Sequence, residues 1–345
     1  MRKKRALIPA RPALPAVVLA AAQAAAQAAA ARYARGSRAA STWRAYESDW
    51  ALFTAWCASV KRPALPAEPS TVALFLAAEA KLGRAPSTLG RRLAAIRLMH
   101  VGAKVAPPHD ALEVAEVMRG IRRVWQRPVT QKAPALDEDV KRMCAAVEAD
   151  TLQGLRDRAL LLLGFAGALR RSELVALDVE QLTYQSEGLQ ILIKSSKGDQ
   201  EGEGETIAIP RVPDSPYCPV RALQTWLQAA GITTGAMFRR LHRGDTVGAT
   251  RLSAQSVALI VKELATNIGL DARRYAGHSL RSGFLTSAAR NRASIFKMAD
   301  QSRHKSLDVL REYVRNEDRF EDHAAEGMLQ SGSSHRVTQD APSLT

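Results

Sequence analysis

The chain has 345 residues, with 49 Lys and Arg against 34 Asp and Glu, a net charge of +15. It is long enough for two domains with separate cores, and its 46% apolar and 24% charged residues are those of an ordinary soluble protein. No uninterrupted apolar run approaches the ~20 residues of a membrane span. The three cysteines, Cys57, Cys144 and Cys218, lie far apart with no CxxC pattern, so they read as free thiols of a reducing compartment, not a disulfide frame or zinc site. Positive residues recur along the whole chain, and a polyanion is their natural partner.

Only 5% of residues are aromatic while Ala, Leu and Arg abound, so helices should dominate. Residues 1–37 begin with a basic cluster, pass Pro9, Pro12 and Pro15 and become AVVLAAAQAAAQAAAARYARG. The outline resembles a secretory signal, but prolines and glutamines interrupt the apolar run. An Ala-rich helix or frayed arm with little large apolar surface to dock is the better reading. From Ser41 the spacing of Trp43, Tyr46, Trp50, Phe53 and Cys57 makes one apolar stripe on a helix, read as core. Pro63, Pro66 and Pro69 break the chain, and Ser70 opens a second helix through Leu74, Phe75 and Ala78.

Pro86-Ser87-Thr88 starts a third helix whose buried face should be Leu89, Leu93, Ile96 and Met99. Its other face should show Arg91, Arg92 and Lys104, either as a solvated surface or as phosphate contacts. Ala111 to Val124 gives a fourth helix ending in RGIRRVWQR, with Arg122 and Arg123. Four helices in residues 41–125 make a compact all-α module with basic edges. Residues 126–135 carry two prolines and no apolar period, and read as an extended linker.

A second domain starts at Leu136 with a short helix whose Asp137 and Glu138 suit an N-terminus. One buried helix is expected over GLRDRALLLLGFAGALRRSELVALDVEQL, with Gly164 and Gly167 marking close contact or a bend and Arg170 toward its end. The only convincing β signal is GLQILIKSSKGDQEGEGETIAIP. There Leu189, Ile191 and Ile193 alternate, as do Ile207 and Ile209, across a Gly-rich turn that carries Lys194 and Lys197. MFRRLHRGDTVG reads as a basic loop. Helices follow from Pro219, from a Ser253 cap, over His278–Asn291, Ser294–Gln301 and Ser306–Asn316, before a polar tail.

The stretch from GHSLRSGF to SRHKSLDVLREYVR carries His278, Arg281, His304 and Tyr313. With His278 at a helix start and Arg281 in its first turn, both can face one anion. Tyr313 falls two turns into a helix capped by Ser306. Singly, each residue is as well explained by capping or packing; their order and spacing together are not. No metal or other cofactor is expected, because the two histidines lack a third ligand at a recognisable spacing.

These residues resemble the tyrosine recombinases, also called phage integrases, over roughly residues 41–329. GALRRSEL resembles the family's first arginine motif and implies a catalytic Arg170. The hairpin turn implies Lys197, with Lys194 as its rival. HSLR is similar to the His-x-x-Arg box and gives His278 and Arg281. RHKSL supplies His304, and Tyr313, nine residues on, matches the nucleophile. The family usually carries Gly before the third-position histidine. Arg303 stands there, and if the backbone needs positive φ it either weakens activity or marks a rearranged loop.

The resemblance implies a mainly α fold: a helical core-binding domain at 41–125 and a mixed catalytic domain at 136–329 with a small antiparallel β-sheet. A basic Ala-rich arm at 1–40, a linker at 126–135 and a flexible tail at 330–345 complete it. It also implies cutting and rejoining of double-stranded DNA through a 3′-phosphotyrosyl link, in the cytoplasm at the nucleoid, by dimers and a tetramer assembled on DNA. A binding protein with impaired chemistry and a type IB topoisomerase remain as alternatives.

Overall fold

The computed structural model describes residues 16–125, 132–194 and 204–317. The chain divides into two units, Met1–Val129 and Thr130–Thr345. In the first, α1 (Ala16–Gly36) is the Ala-rich helix, with its described side chains almost all exposed. Four helices follow: α2 (Ala40–Ser59), α3 (Pro69–Lys81), α4 (Pro86–Gly102) and α5 (Leu112–Val124). Proline opens α3 and α4, where its fixed φ fits and its missing N–H is not needed. Their core is Phe53, Cys57, Val72, Phe75, Leu76, Leu89, Ile96, Val114 and Met118, with Phe53 and Trp56 set edge-on to Phe75 at 5.1 and 5.4 Å.

Two expectations for α4 are corrected. Its buried residues are Leu89, Arg92, Ala95, Ile96 and His100, so the inward stripe runs 89-92-96-100 and Met99 turns outward. His100 is satisfied at both nitrogens, accepting from Ala67 N at 2.9 Å and lying 2.8 Å from Ile96 O. Arg92 is not on the open face: it is 6% exposed, bonded to Glu79 and 3.7 Å from Asp49. Asp49, itself buried on α2 within the aromatic stripe, draws it in and takes a two-pronged bond from Arg91 at 2.7 and 3.0 Å. Arg91 stays half exposed, and Lys104, Arg122 and Arg123 are exposed.

The second unit packs α6 (Asp137–Ala145), α7 (Leu152–Ala166), α8 (Arg171–Ala176), α9 (Pro219–Ala229), α10 (Ala254–Asn267) and α11 (Ser279–Arg290) about one core, followed by α12 (Ile295–Ser302) and α13 (Leu307–Glu317). A three-stranded antiparallel sheet joins β1 (Leu182–Tyr184), β2 (Gly188–Ile193) and β3 (Glu205–Pro210). Leu189 pairs with Ile209 and Ile191 with Ile207, the alternating apolar residues facing the core. The basic stretch expected as a loop is instead a hairpin, β4 (Arg239–His242) with β5 (Thr246–Arg251). Its turn uses positive φ at Gly244 and Asp245, and its arginines hid the strand period.

The single long helix expected after residue 153 is two. Gly167 caps α7 and Ala168 turns at φ 45°, so that Arg170 is extended at φ −68° and ψ 145° just before α8. Most of the expected linker lies outside the described residues. Its described end is bound into the second unit: Ala133 N donates to Arg274 O at 2.7 Å and Ala135 N to Ser279 O at 2.9 Å. Ala135 is fully buried on Gly283 of α11, where a Cβ would stand 1.7 Å from its carbonyl oxygen.

Candidate active site

The break between α7 and α8 builds the floor of the site. Its turn aims the Ala168 carbonyl at Arg281, whose Nη1 donates to it at 2.6 Å. Arg281 lies in the first turn of α11 and is 1% exposed, held from the other side by His304, whose two ring nitrogens each lie 3.3 Å from its Nη2. Burial, with Arg170 and Arg303 near, brings the Arg281 guanidinium down to about 10. It is still charged at neutral pH.

His304 follows the left-handed end of α12, where Arg303 adopts φ 56° and ψ 47°. The Ser302 hydroxyl donates its one hydrogen to Met298 O at 2.6 Å. The 2.7 Å contact between Ser302 Oγ and His304 Nδ1 is therefore donated by the ring, and Nε2 accepts from Arg281. Burial and the charges of Arg281 and Arg170 push His304 down to about 4, so the ring is neutral. His278 stands just before α11, but Ser279 Oγ, not the histidine ring, accepts from the nearby Ala276 N–H. Burial, then Arg281 and Arg170, lower His278 as well.

Arg170 is partly buried, its Nη1 2.5 Å from Glu173 Oε1. Glu173 Oε2 accepts from the Arg170 backbone N–H at 2.9 Å and from Arg303 Nη2 at 2.6 Å. Burial pushes this carboxyl up, but Arg303 and Arg170 win and hold it below the usual carboxylate range. The Arg170–Glu173 pair, readable in the sequence as a surface ion pair, is thus an inner one: Glu173 is 4% exposed. Glu173 and Arg303 are the site residues that sequence reasoning left without a role; the SEL following Arg170 and the expected positive φ at 303 were their only signals.

Tyr313 lies on α13, after a helix start at which Ser306 Oγ accepts from Asp308 N at 3.2 Å. It is half-buried against a small cluster of Leu285, Ala289, Met298 and Leu310. Burial raises its phenol above the ordinary value, with the charge of Arg281 acting in the opposite direction. Of the expected site residues, Arg281 and His304 touch directly, and the charges of Arg281 and Arg170 act on both His278 and His304. Lys197 lies outside the described residues; Lys194 is exposed at the end of β2. Among the described residues no cluster of His, Cys, Asp and Glu could hold a metal ion, and no helix is long and apolar enough to cross a membrane.

Comparison with known proteins gives a consistent set. The model of the phage integrase family matches residues 136–319. An integrase/recombinase XerD homolog of Selenomonas ruminantium is 40% identical over 85% of this chain and 86% of its own. A tyrosine recombinase of Synechococcus elongatus is 31% identical over 80% and 85%. Among solved structures, the XerH site-specific recombinase bound to its difH substrate superposes with a TM-score of 0.53 at 16% identity, covering 78% of this chain and 74% of that one. The Tn1549 transposon integrase with transposon right-end DNA gives 0.55 at 14%, covering 84% and 95%; at such identities the likeness is one of fold.

Proposed function

This chain belongs to the phage integrase family, and from that premise we propose that Tyr313 is the nucleophile by which it, as a site-specific tyrosine recombinase, cuts and rejoins DNA strands. The observation that carries the reading is a charge imbalance. Arg170 and Arg303 both bond the buried carboxylate of Glu173, Arg281 lies within its field, and Glu205, 3.8 Å from Arg303, is the one further acid paired with them among the described residues. Such a surplus is stabilised by an anion, and one that gains charge in the transition state benefits most.

The Tyr313 oxygen attacks phosphorus, a Tyr–O–P bond forms and the bond from phosphorus to the 5′-oxygen breaks. Arg170 and Arg281 bind the non-bridging oxygens, whose charge rises during attack. His278, kept neutral by burial and its cationic neighbours, accepts the phenolic proton. Lys197 protonates the leaving 5′-oxygen. His304 orients Arg281 through its Nε2. One phosphodiester is exchanged for another, so a second 5′-hydroxyl reverses the step without an external energy source.

The partner is duplex DNA, contacted also by Lys104, Arg122, Arg123 and the exposed side of Arg91, in dimers and a tetramer on the recombining sites at the nucleoid. The acidic segment NEDRFEDHAAEGML, a candidate either for docking on a neighbouring protomer or for packing on its own chain, lies outside the described residues apart from its first two. The reading of a binding protein with impaired chemistry rested on Arg303, whose side chain turns inward to Glu173 without displacing His304 from Arg281.

The test is to incubate the protein with nicked random-sequence duplexes, denature it, and sequence the DNA left covalently attached. Tyr313→Phe should bind the recovered duplex with unchanged affinity and form no adduct; adduct formed by that variant moves the nucleophile elsewhere. Strand exchange that needs two copies of the recovered duplex separates a recombinase from a topoisomerase, which relaxes supercoils without paired sites.

A further inference from the structure

Arg303 stands out among the buried polar groups because it stands at odds with its own backbone. Its φ of 56° and ψ of 47° lie in the left-handed region, which a glycine enters without strain, yet the chain places here a long charged side chain that is only 2% exposed. A side chain present merely to fill space needs no charge, and a buried charge is costly without partners. The partners are specific. Nη2 bonds Glu173 Oε2 at 2.6 Å, and Nη1 donates to Gln301 O at 3.0 Å. Nε makes no hydrogen bond and lies 3.8 Å from Glu205 on β3.

Glu173 divides its two oxygens. Oε1 holds the Arg170 guanidinium, while Oε2 takes both the Arg170 backbone N–H and Arg303. With Oε2 occupied, the carboxylate cannot swing round to chelate Arg170 with both oxygens and draw its guanidinium away from the phosphate. We propose that Arg303 is a positioning residue for strand transfer, locking the Glu173 carboxylate so that Arg170 is presented to the scissile phosphate through one prong only. The inference rests on the catalytic reading of Arg170 and Tyr313 given above. Arg303 is too deep to touch DNA; it acts through Glu173.

The experiment measures single-turnover cleavage of the duplex recovered by covalent trapping, with wild type, Arg303→Met, Arg303→Gly and Arg303→Lys. Binding of the same duplex to each variant serves as the check on folding. Arg303→Gly fits the left-handed backbone better than arginine does, so its fold is the safest. It and Arg303→Met should cleave about 10- to 100-fold more slowly, with Arg303→Lys in between. A second substrate carries a methylphosphonate at the scissile linkage, which removes one non-bridging oxygen and the charge. The slowing should shrink strongly there, because Arg170 has less charge to stabilise, whereas a merely structural defect slows both substrates alike. In an Arg170→Ala background Arg303→Met should add no further loss.

Wild-type cleavage by Arg303→Gly and Arg303→Met, or equal slowing on both substrates, overturns the inference. If instead Arg170→Ala cleaves normally or Tyr313→Phe still forms adducts, it is the catalytic reading that fails.

Discussion

Both units bury arginines beside carboxylates, and the difference between them separates scaffold from site. In the first unit the buried Arg92 has two buried acids, Glu79 and Asp49, which also take the half-exposed Arg84 and Arg91. Two acids neutralise the buried cation, although its Nε makes no hydrogen bond. In the second unit Arg281, Arg303 and the partly buried Arg170 share one buried acid, Glu173, with the part-exposed Glu205 3.8 Å from Arg303, and Arg281 has a carbonyl and a neutral imidazole as its hydrogen-bond partners among the described residues. Burial of arginine is common to both; only in the second cluster do buried arginines outnumber buried carboxylates. A basic sequence does not reveal which arginines are surplus, because that depends on which acids fold inward with them.

The largest expected effect tests the surplus directly. Arg281→Met should lower single-turnover cleavage by about 100- to 1000-fold, the scale of losing one preorganised donor to developing charge, with DNA binding retained. Arg92→Met should do the opposite. It leaves Glu79 and Asp49 buried with weaker partners and should cost about 3 kcal/mol of stability, read by chemical denaturation, while cleavage per folded molecule is unchanged. Replacing Glu79 by Leu in the same chain should recover most of that loss, since a buried ion pair exchanged whole for apolar side chains is near neutral. A cleavage defect in Arg92→Met would erase the contrast.

Acid should also tell the units apart. His304 and His278 titrate below their ordinary value of 6.5, His304 at about 4. The unfolded chain therefore binds more protons than the folded one through that window. The associated stability is present above about pH 6.5 and is lost as pH falls toward 4. His304→Asn should flatten the stability profile between those limits, and an unchanged profile would assign the acid loss to other groups. A smaller effect follows from the unmatched cations: inorganic phosphate should raise the melting temperature of the wild type more than that of Arg170→Ala. Smallest are the exposed cations, where Lys104→Ala, Arg122→Ala or Arg123→Ala should each reduce the salt dependence of DNA affinity by about one unit of slope, without altering cleavage of bound DNA.

Most helices were legible because apolar spacing and end signals agree, as at Ser253, whose Oγ caps α10 at 3.0 Å, and at the prolines opening α4 and α9. The sheet was legible where β2 and β3 alternate. It was not at β4, whose arginines disguise the period. The break at Gly167–Arg170 was read only as a possible bend, because leucines run up to it and the turn is made by an alanine at positive φ. Within the candidate site, His278, Arg281, His304 and Tyr313 stand out by order and spacing, and Arg170 by the resemblance of GALRRSEL to the family's arginine motif. Glu173 and Arg303 gain their meaning from a contact across 130 residues of chain, which no local pattern encodes. Arg92 misled for the converse reason: its charge reads as surface, although its spacing from Leu89 and Ile96 puts it on the buried stripe, where Asp49 and Glu79 meet it. The left-handed backbone at Arg303 costs about 1–2 kcal/mol.

The short run of chain ahead of α6 is spliced to α11 along its length. Ala135 hangs from Ser279 O, Asp137 N from Ser287 Oγ at 3.1 Å, and Gly283 leaves no slack between them. The segment that leads into the second unit is therefore anchored on the same helix whose first turn carries Arg281.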